Sequence, residues 1–524
     1  MSLLPREHPV HKGLIFLSVL IPTTLAFLTS NSTVVLQSII TDDLAINGSL
    51  SSWMTIIYLL GTNTFVPVAN RIADRFGYKK IFCLGVAFFT IGTGGVGLSR
   101  DFLSLAASRL FEGVGAGLIF PLSLALLVKE FSKEKLGIVI NLYLALSLTI
   151  GFGFGPIFSG YCAMHFVWNT AFLSLLPFCL LTFVLGCICH EETKKIYRGA
   201  FDIRGFFLFT CSISLILVAL SEGNLPSTAE GWRSPYILSC LSCFCFFFLG
   251  AILMESRVEN PMIPLALFRY PAFNLGCITL FTVGMIAFSS INLLVQYLEK
   301  GLFYDHGRIG YIASFYGLSL GLGGMLATYL MRTLSAKILS LSGLCLLIIS
   351  LLLNQQFTIQ SAESSIAMLV FLRGFSLGLS IGPVTSSSLE TLPAPLASDG
   401  SSMVTFFRQI GATFGGSILG IIALRRNIYH KQLFMESVHQ NLSAYTNAMH
   451  NLEKSIFAQN RDQAKGRALQ EIVDYIYRQA YIESLNNALL SFAYVIGMIV
   501  CILCIINIRD YWYKQLREKN YLEE

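Results

Sequence analysis

Arg109 and Glu112 lie three positions apart inside a long apolar run. At that spacing they share one helix face, and ionisable groups at membrane depth are costly unless they pair or line a pathway. Burial favours the neutral acid, whereas an adjacent guanidinium favours the carboxylate. The pair therefore reads either as a proton-carrying carboxylate or as a counter-ion that neutralises Arg109. A second cluster runs from Asn70 through Arg71, Asp74, Arg75, Gly77, Tyr78, Lys79 and Lys80. An acid, a turn glycine and several cations at one helix boundary can make charge-assisted bonds that hold helix ends together and then release them. The plainer reading is a basic anchor with a turn. A third cluster, Gly151, Gly153, Gly155, Pro156 and Gly160, joins close-packing glycines to a kinking proline. It fits tight helix contact, a hinge, or both.

The elements that must position these groups follow from composition. Of 524 residues, 54% are hydrophobic and only 13% charged, against about 25% charged in an ordinary soluble domain. A bilayer core of about 30 Å needs about 20 apolar residues per helix. Fourteen such runs are found, from about 13–40 to about 485–508, the shortest at 337–353. The fold class is an all-α polytopic membrane protein with fourteen transmembrane helices. Lys and Arg gather in alternate loops, as with Lys129, Lys133, Lys135, Lys194, Lys195 and Arg198, which places both termini in the cytoplasm. Arg425 and Arg426 violate the pattern locally. The net charge of +6 thus reflects topology, and no nucleic-acid footprint is read in it. The 13 Cys lie in or beside apolar helices without neighbouring His, so they read as packing residues. No metal site, cofactor or enzymatic motif is expected.

A faint repeat relates Arg109, Gly113 and Pro121 to Arg373, Gly374, Gly378 and Pro383 in the twelfth run. Parallel six-helix repeats are a transporter pattern. Together the motifs resemble the major facilitator superfamily, and within it the fourteen-helix drug:proton antiporters of the EmrB/QacA type, over essentially the whole chain. Asp74, Arg75, Gly77, Lys79 and Lys80 resemble its motif between helices 2 and 3, and would act as a conformational switch. Arg109, Gly113 and Gly117 resemble its helix 4 motif, and Gly151, Gly155, Pro156 and Gly160 its helix 5 antiporter motif, a hinge. Asp202 with Gly205, and the stretch Asn260, Pro261, Met262, Ile263, Pro264, Leu265, resemble the fourteen-helix branch. So do Ser398, Gly400, Ser401 and Ser402, followed by Phe406, Arg408, Gln409, Gly411 and Gly415. The resemblance implies a six-helix half at 1–200, two inserted helices at 201–260, and a second six-helix half at 261–524.

Departures matter too. Asn31 stands where the family's first helix usually carries an acid, Asn70 where its loop usually has Gly, and Glu112 where Gln is common. Proton binding moved from helix 1 to Glu112, with Arg109 beside it, is one reading; altered or absent coupling is the other. Asn31 and Arg408 are expected on the substrate path. The stretch 425–484 is too long for a simple connection. Val438, Leu442, Tyr445, Met449, Leu452 and Ile456 form a heptad seam, followed by a second amphipathic stretch from Leu469 to Ala480. Two helices packed on each other, or a dock for a periplasmic adaptor, both fit. The expected function is alternating-access export of amphipathic organic compounds across the inner membrane against proton entry. A dedicated metabolite carrier and a transport-inactive sensor or scaffold are the alternatives.

Overall fold

The computed structural model describes residues 9–46, 48–191, 202–223, 231–258, 261, 265–440, 446–447, 450–451 and 464–523. Every regular element among them is helical. The first helices are α1 (Pro9–Asp43), α2 (Trp53–Phe65), α3 (Ala69–Phe76), α4 (Tyr78–Leu98), α5 (Phe102–Glu130) and α6 (Lys133–Thr149). A π turn at Ile150–Phe154 leads into α7 (Gly155–His165), and α8 (Leu176–Cys189) closes the first group. α9 (Ile203–Glu222) and α10 (Pro235–Glu255) pack on each other. The last group is α11 (Pro271–Gln296), α12 (His306–Leu330), α13 (Ala336–Leu353), α14 (Glu363–Glu390), α15 (Ala394–Gln440) and α16 (Ala464–Glu523).

Thirteen helices among the described residues are long and apolar enough to span a membrane. The run expected at 51–70 differs from the rest. A turn at residues 66–68, centred on Pro67, separates α2 from α3. Pro lacks the N–H that would continue the ladder, so neither piece is long enough by itself. Gly77 then reverses the chain at φ 106°, a left-handed value that only glycine adopts freely.

The first group packs around Phe27, Phe82, Phe89 and Phe120, and the last around Phe273, Tyr316, Leu347 and Leu377. α9 seats against α2 and α15, where Phe209 meets Phe406 at 5.8 Å and Trp53 Nε1 donates to Glu222 Oε1 at 2.9 Å. α10 presents Phe246, Leu249 and Leu253 outward, as a lipid-facing peripheral helix would.

In the stretch after 425, where two amphipathic helices are expected, α15 continues unbroken to Gln440 and α16 begins at Ala464, so the described parts are continuous with the thirteenth and fourteenth runs. Where their side chains are described they cover each other: Lys431 Nζ lies 4.4 Å from the Tyr477 ring, and His430 meets the Asn487 amide at 2.6 Å. Leu442, Tyr445, Met449, Leu452 and Ile456 of the expected seam lie outside the described residues, as do Asn260, Met262, Ile263 and Pro264 of the linker.

Candidate functional site

The two groups of helices meet along a seam with two lines of contact, the first of them backbone-close. One runs between the π turn with α7 and α12. A Cβ on Gly317 would collide with the backbone of Phe152 and Gly153, and one on Gly310 with the Pro156 carbonyl. Only glycine lets these helices approach so closely. The Gly-rich sequence at 151–155 forms a π turn, a form that inserts one residue into the helical ladder and is frequent at functional sites. The second line joins α2 and α15, where Asn63 Nδ2 donates to Thr413 Oγ1 at 2.9 Å.

At the end of the seam bearing the Asn70–Lys80 loop, the groups are latched. Arg71 Nη2 lies 2.9 Å from Asp399 Oδ2 of α15, with both side chains largely buried. Asn70 Nδ2 donates to Ser401 Oγ at 3.0 Å and also to the Ser398 carbonyl. The Tyr78 hydroxyl meets Ser398 Oγ at 2.9 Å, and Lys129 Nζ sits 3.0 Å over the Tyr78 ring. Asp74, in α3, has Tyr78 as hydrogen-bond partner and Lys129 and Arg71 as neighbouring cations; burial outweighs these and raises its pKa above the usual carboxylate range. Of the residues expected to form the switch, Asp74 and Gly77 therefore support the latch, while Arg75 stacks on Phe76 and Lys80 is exposed. At this end the bonds across the seam come from Asn70, Arg71 and Tyr78. Sequence reasoning missed Asp399, although it lies amid the quoted serines, and treated Asn70 only as a departure.

The Arg109–Glu112 pair is formed and sealed. Arg109 Nη1 lies 2.6 Å from Glu112 Oε2, with side chains 1% and 0% exposed. Arg109 Nε donates to the Met54 carbonyl at 3.2 Å and the guanidinium lies 4.4 Å from the Tyr58 ring centre. Glu112 packs against Gly92 of α4, and its Oε1 has no hydrogen bond. Each partner found for the pair belongs to the N-terminal group. Its repeat counterpart, Arg373, is held by an amide in place of an acid: Nη2 donates to Asn354 Oδ1 at 2.6 Å, and Asn354 Nδ2 in turn donates to Asn486 Oδ1 of α16 at 2.9 Å.

Nearer the seam, Asn31 is buried and donates to the Phe27 carbonyl of its own helix at 2.7 Å, leaving Oδ1 without a partner. Arg408 projects from α15 toward Phe27 of α1, 5.6 Å from the ring centre. A polar group that sequence reasoning did not single out lies beside it: the Thr23 hydroxyl meets Tyr143 Oη at 2.7 Å and donates to Ser123 Oγ at 3.2 Å. Isolated Thr, Ser and Tyr in apolar helices carry no spacing signal that separates them from core. An aromatic chain crosses the seam here, with Phe27 stacked on Phe120 at 4.8 Å, Phe152 at 5.8 Å from Phe27, and Phe288 at 5.2 Å from Phe152.

The profile of the Major Facilitator Superfamily matches residues 19–416, nearly the whole of this helical array. The chain belongs to the major facilitator superfamily. It is 23% identical over 493 residues to a Bacillus subtilis protein described as an uncharacterized MFS-type transporter, YhcA, spanning 91% of this chain and 89% of that one. It is 28% identical over 379 residues to the multidrug resistance protein Stp of Mycobacterium tuberculosis, covering 71% of this chain and 68% of that one. The crystal structure of the human organic anion transporter MFSD10 shares the fold, with a TM-score of 0.57 at 13% identity, over 95% of this chain and 100% of that one. This superfamily member is therefore a multi-pass membrane transporter acting on small substrates.

Proposed function

We propose that this transporter is a fourteen-helix, EmrB/QacA-type exporter that moves amphipathic organic compounds out of the cell in exchange for protons. Its halves are 1–200 and 261–524, with 201–260 inserted, and the run at 51–70, which contains α2 and the turn at Pro67, supplies the fourteenth crossing. Both termini and the Asn70–Lys80 loop face the cytoplasm of an inner-membrane protein, so the latch closes the cytoplasmic side. The observation that carries the reading is the ion pair Arg71–Asp399 with its neighbours, which joins the halves at one end of a seam lined by aromatic and polar side chains. A breakable bond at one end of the seam between the halves is what alternating access requires. Drug export draws on the similarity to proteins described as multidrug resistance proteins.

Glu112 is the proposed proton carrier. Its free Oε1 can be protonated without losing a hydrogen bond, and protonation would weaken the bond to Arg109 and so loosen α5 from α2. The mutual covering of α15 and α16 supports a self-packed hairpin over an adaptor dock. The test is a panel of lipophilic drugs in proteoliposomes with an imposed pH gradient, following both drug flux and internal pH. Drug flux coupled to opposite proton flux is expected. Flux of a single metabolite in place of the panel, or no flux at all, would overturn the reading, and unchanged proton release in Glu112→Gln would remove Glu112 from it.

A further inference from the structure

Three arginines are buried at membrane depth, and they are treated unequally. Arg109 is 1% exposed and paired with Glu112; Arg373 is 3% exposed and bonded to Asn354. Arg408 is 8% exposed, yet among the described residues its guanidinium forms no ion pair and no hydrogen bond. It lies over the face of Phe27, and the Tyr143 phenol, already held by Thr23, is its electrostatic neighbour. The first turn of α15 is at the latch, with Asp399 nine positions before Arg408. At about 1.5 Å per residue, Arg408 lies about 14 Å inside, close to half of a hydrocarbon core about 30 Å thick.

The acids that could neutralise it are engaged or distant. Glu112 is held by Arg109, Asp399 by Arg71, and Glu222 by Trp53, while Asn31 occupies the α1 position that could have faced it. An ionised side chain so buried is costly when uncompensated and points to a functional partner. Arg is also the residue whose planar fork matches a carboxylate, sulfonate or phosphate with two parallel bonds. Phe27, Phe120, Phe152 and Phe288 supply an apolar, aromatic wall on both sides of the seam. The Tyr143, Thr23 and Ser123 hydroxyls, contributed by the opposite half, form a relay in which Tyr143 donates to Thr23, Thr23 to Ser123 and Ser123 to the Val19 carbonyl, and add a polar surface within the same region.

We infer that Arg408 anchors the anionic group of the transported compound, so that the substrate class is an organic anion with an aromatic body. The inference rests on the transport reading above and narrows its amphipathic substrates by charge. Bound between Arg408 of one half and the Tyr143 cluster of the other, such an anion neutralises the buried guanidinium and ties the halves together through itself. An organic cation meets the opposite field, and the carboxylates at the seam, Asp399 of the latch and Glu390 beside Gly137, stand near the start of α15 and the end of α14.

The experiment uses the full-length protein in lipid nanodiscs and two probes of equal body and opposite charge, tritiated naphthalene-2-sulfonate and the 2-naphthyltrimethylammonium ion. Saturable sulfonate binding that the cation does not displace is expected. Losing a hydrogen-bonded charge partner lowers affinity by about tenfold or more, so Arg408→Gln should weaken sulfonate binding by that factor, and Arg408→Lys, a point charge without the fork, should fall between. Thermal unfolding establishes that the Gln variant is folded; if it is not, Tyr143→Phe with Arg408→Lys carries the comparison, with the same ordering expected. Absence of saturable sulfonate binding, tighter binding of the cation, or unchanged affinity in the variants would overturn the inference. Proton-coupled flux of cationic drugs by the same protein in proteoliposomes would sink the anion assignment and leave the export reading standing, whereas absence of all flux would sink both.

Discussion

Asp399→Asn keeps the shape of the side chain and removes one charge from the bond across the seam. Arg71 and Asp399 are 2.9 Å apart with side chains 14% and 10% exposed, so solvent and salt screen them little. A charge-assisted hydrogen bond in such a setting contributes about 1.5–3 kcal/mol, and its loss multiplies the open population about 10- to 150-fold. If the latched form outweighs the open one by about 99 to 1, the variant falls to between about 8 to 1 and about even. Asn70 and Tyr78 still bond to Ser398 and Ser401, so the variant opens more often without coming apart. Amide hydrogen exchange in α3 and in the first turns of α15 reads this, because unlatching opens these helix ends to water and to fraying. Exchange there should accelerate by at least tenfold, with α4 and α14 unchanged as internal controls. The paired exchange Arg71→Asp with Asp399→Arg should recover most of the protection. Acceleration below about threefold in a folded variant would refute the assigned strength, and failure of the charge swap to recover any protection would refute a direct ion pair.

Three further outcomes follow from the geometry. Gly317→Ala places a methyl group against the backbone of Phe152 and Gly153; overpacking of this kind costs about 1–3 kcal/mol, and should lower the melting temperature and the transport rate together, whereas Gly497→Ala, which meets open space, should alter neither. Glu112→Gln leaves Arg109 buried without its counter-charge, a loss of about 3–5 kcal/mol; the double variant Arg109→Gln with Glu112→Gln should be closer to wild type in thermal unfolding than the single one, and equal or lower stability of the double variant would contradict the pairing. Asp74 has its pKa raised in the latched form by burial, so the latched form holds the proton more tightly than the open one. Its contribution to closure is present below the ordinary carboxylate pKa and is lost as pH rises through the raised value. After correction for intrinsic exchange, protection of α3 should decline with rising pH across that window, and Asp74→Asn should flatten the dependence.

The sequence made the helices legible because each must satisfy its own backbone and offer lipid an apolar surface, and runs of Leu, Phe and Ile show both. Breaks were harder to see. Pro67 interrupts the second run yet is surrounded by apolar residues that mask it in any count of hydropathy, and the continuation of α15 past Arg425 is helical while its composition turns polar. The Arg109–Glu112 contact was readable from spacing because both partners lie on one helix. Asp399 and Tyr143 were not, since their partners are hundreds of residues or several helices away and only packing brings them together. Long-range polar contacts of this sort leave no periodicity to detect.

The hairpin formed by α15 and α16 has a mechanical consequence. The charged stretch of α16 before Leu485 is about 20 residues, or about 30 Å of rigid helix standing on the C-terminal half. Held to α15 by the Tyr477 and Asn487 contacts and to α11 by the Tyr481 bond to Gln296 at 2.8 Å, it turns with that half as one piece. An arm of that length moves at its tip by about half an ångström for each degree of rotation. Motions otherwise hidden in the bilayer are thus displayed in water as a lever's swing. An antibody fragment fixed to that arm would serve as a pointer by which single-particle images could be aligned and the angle between the halves read.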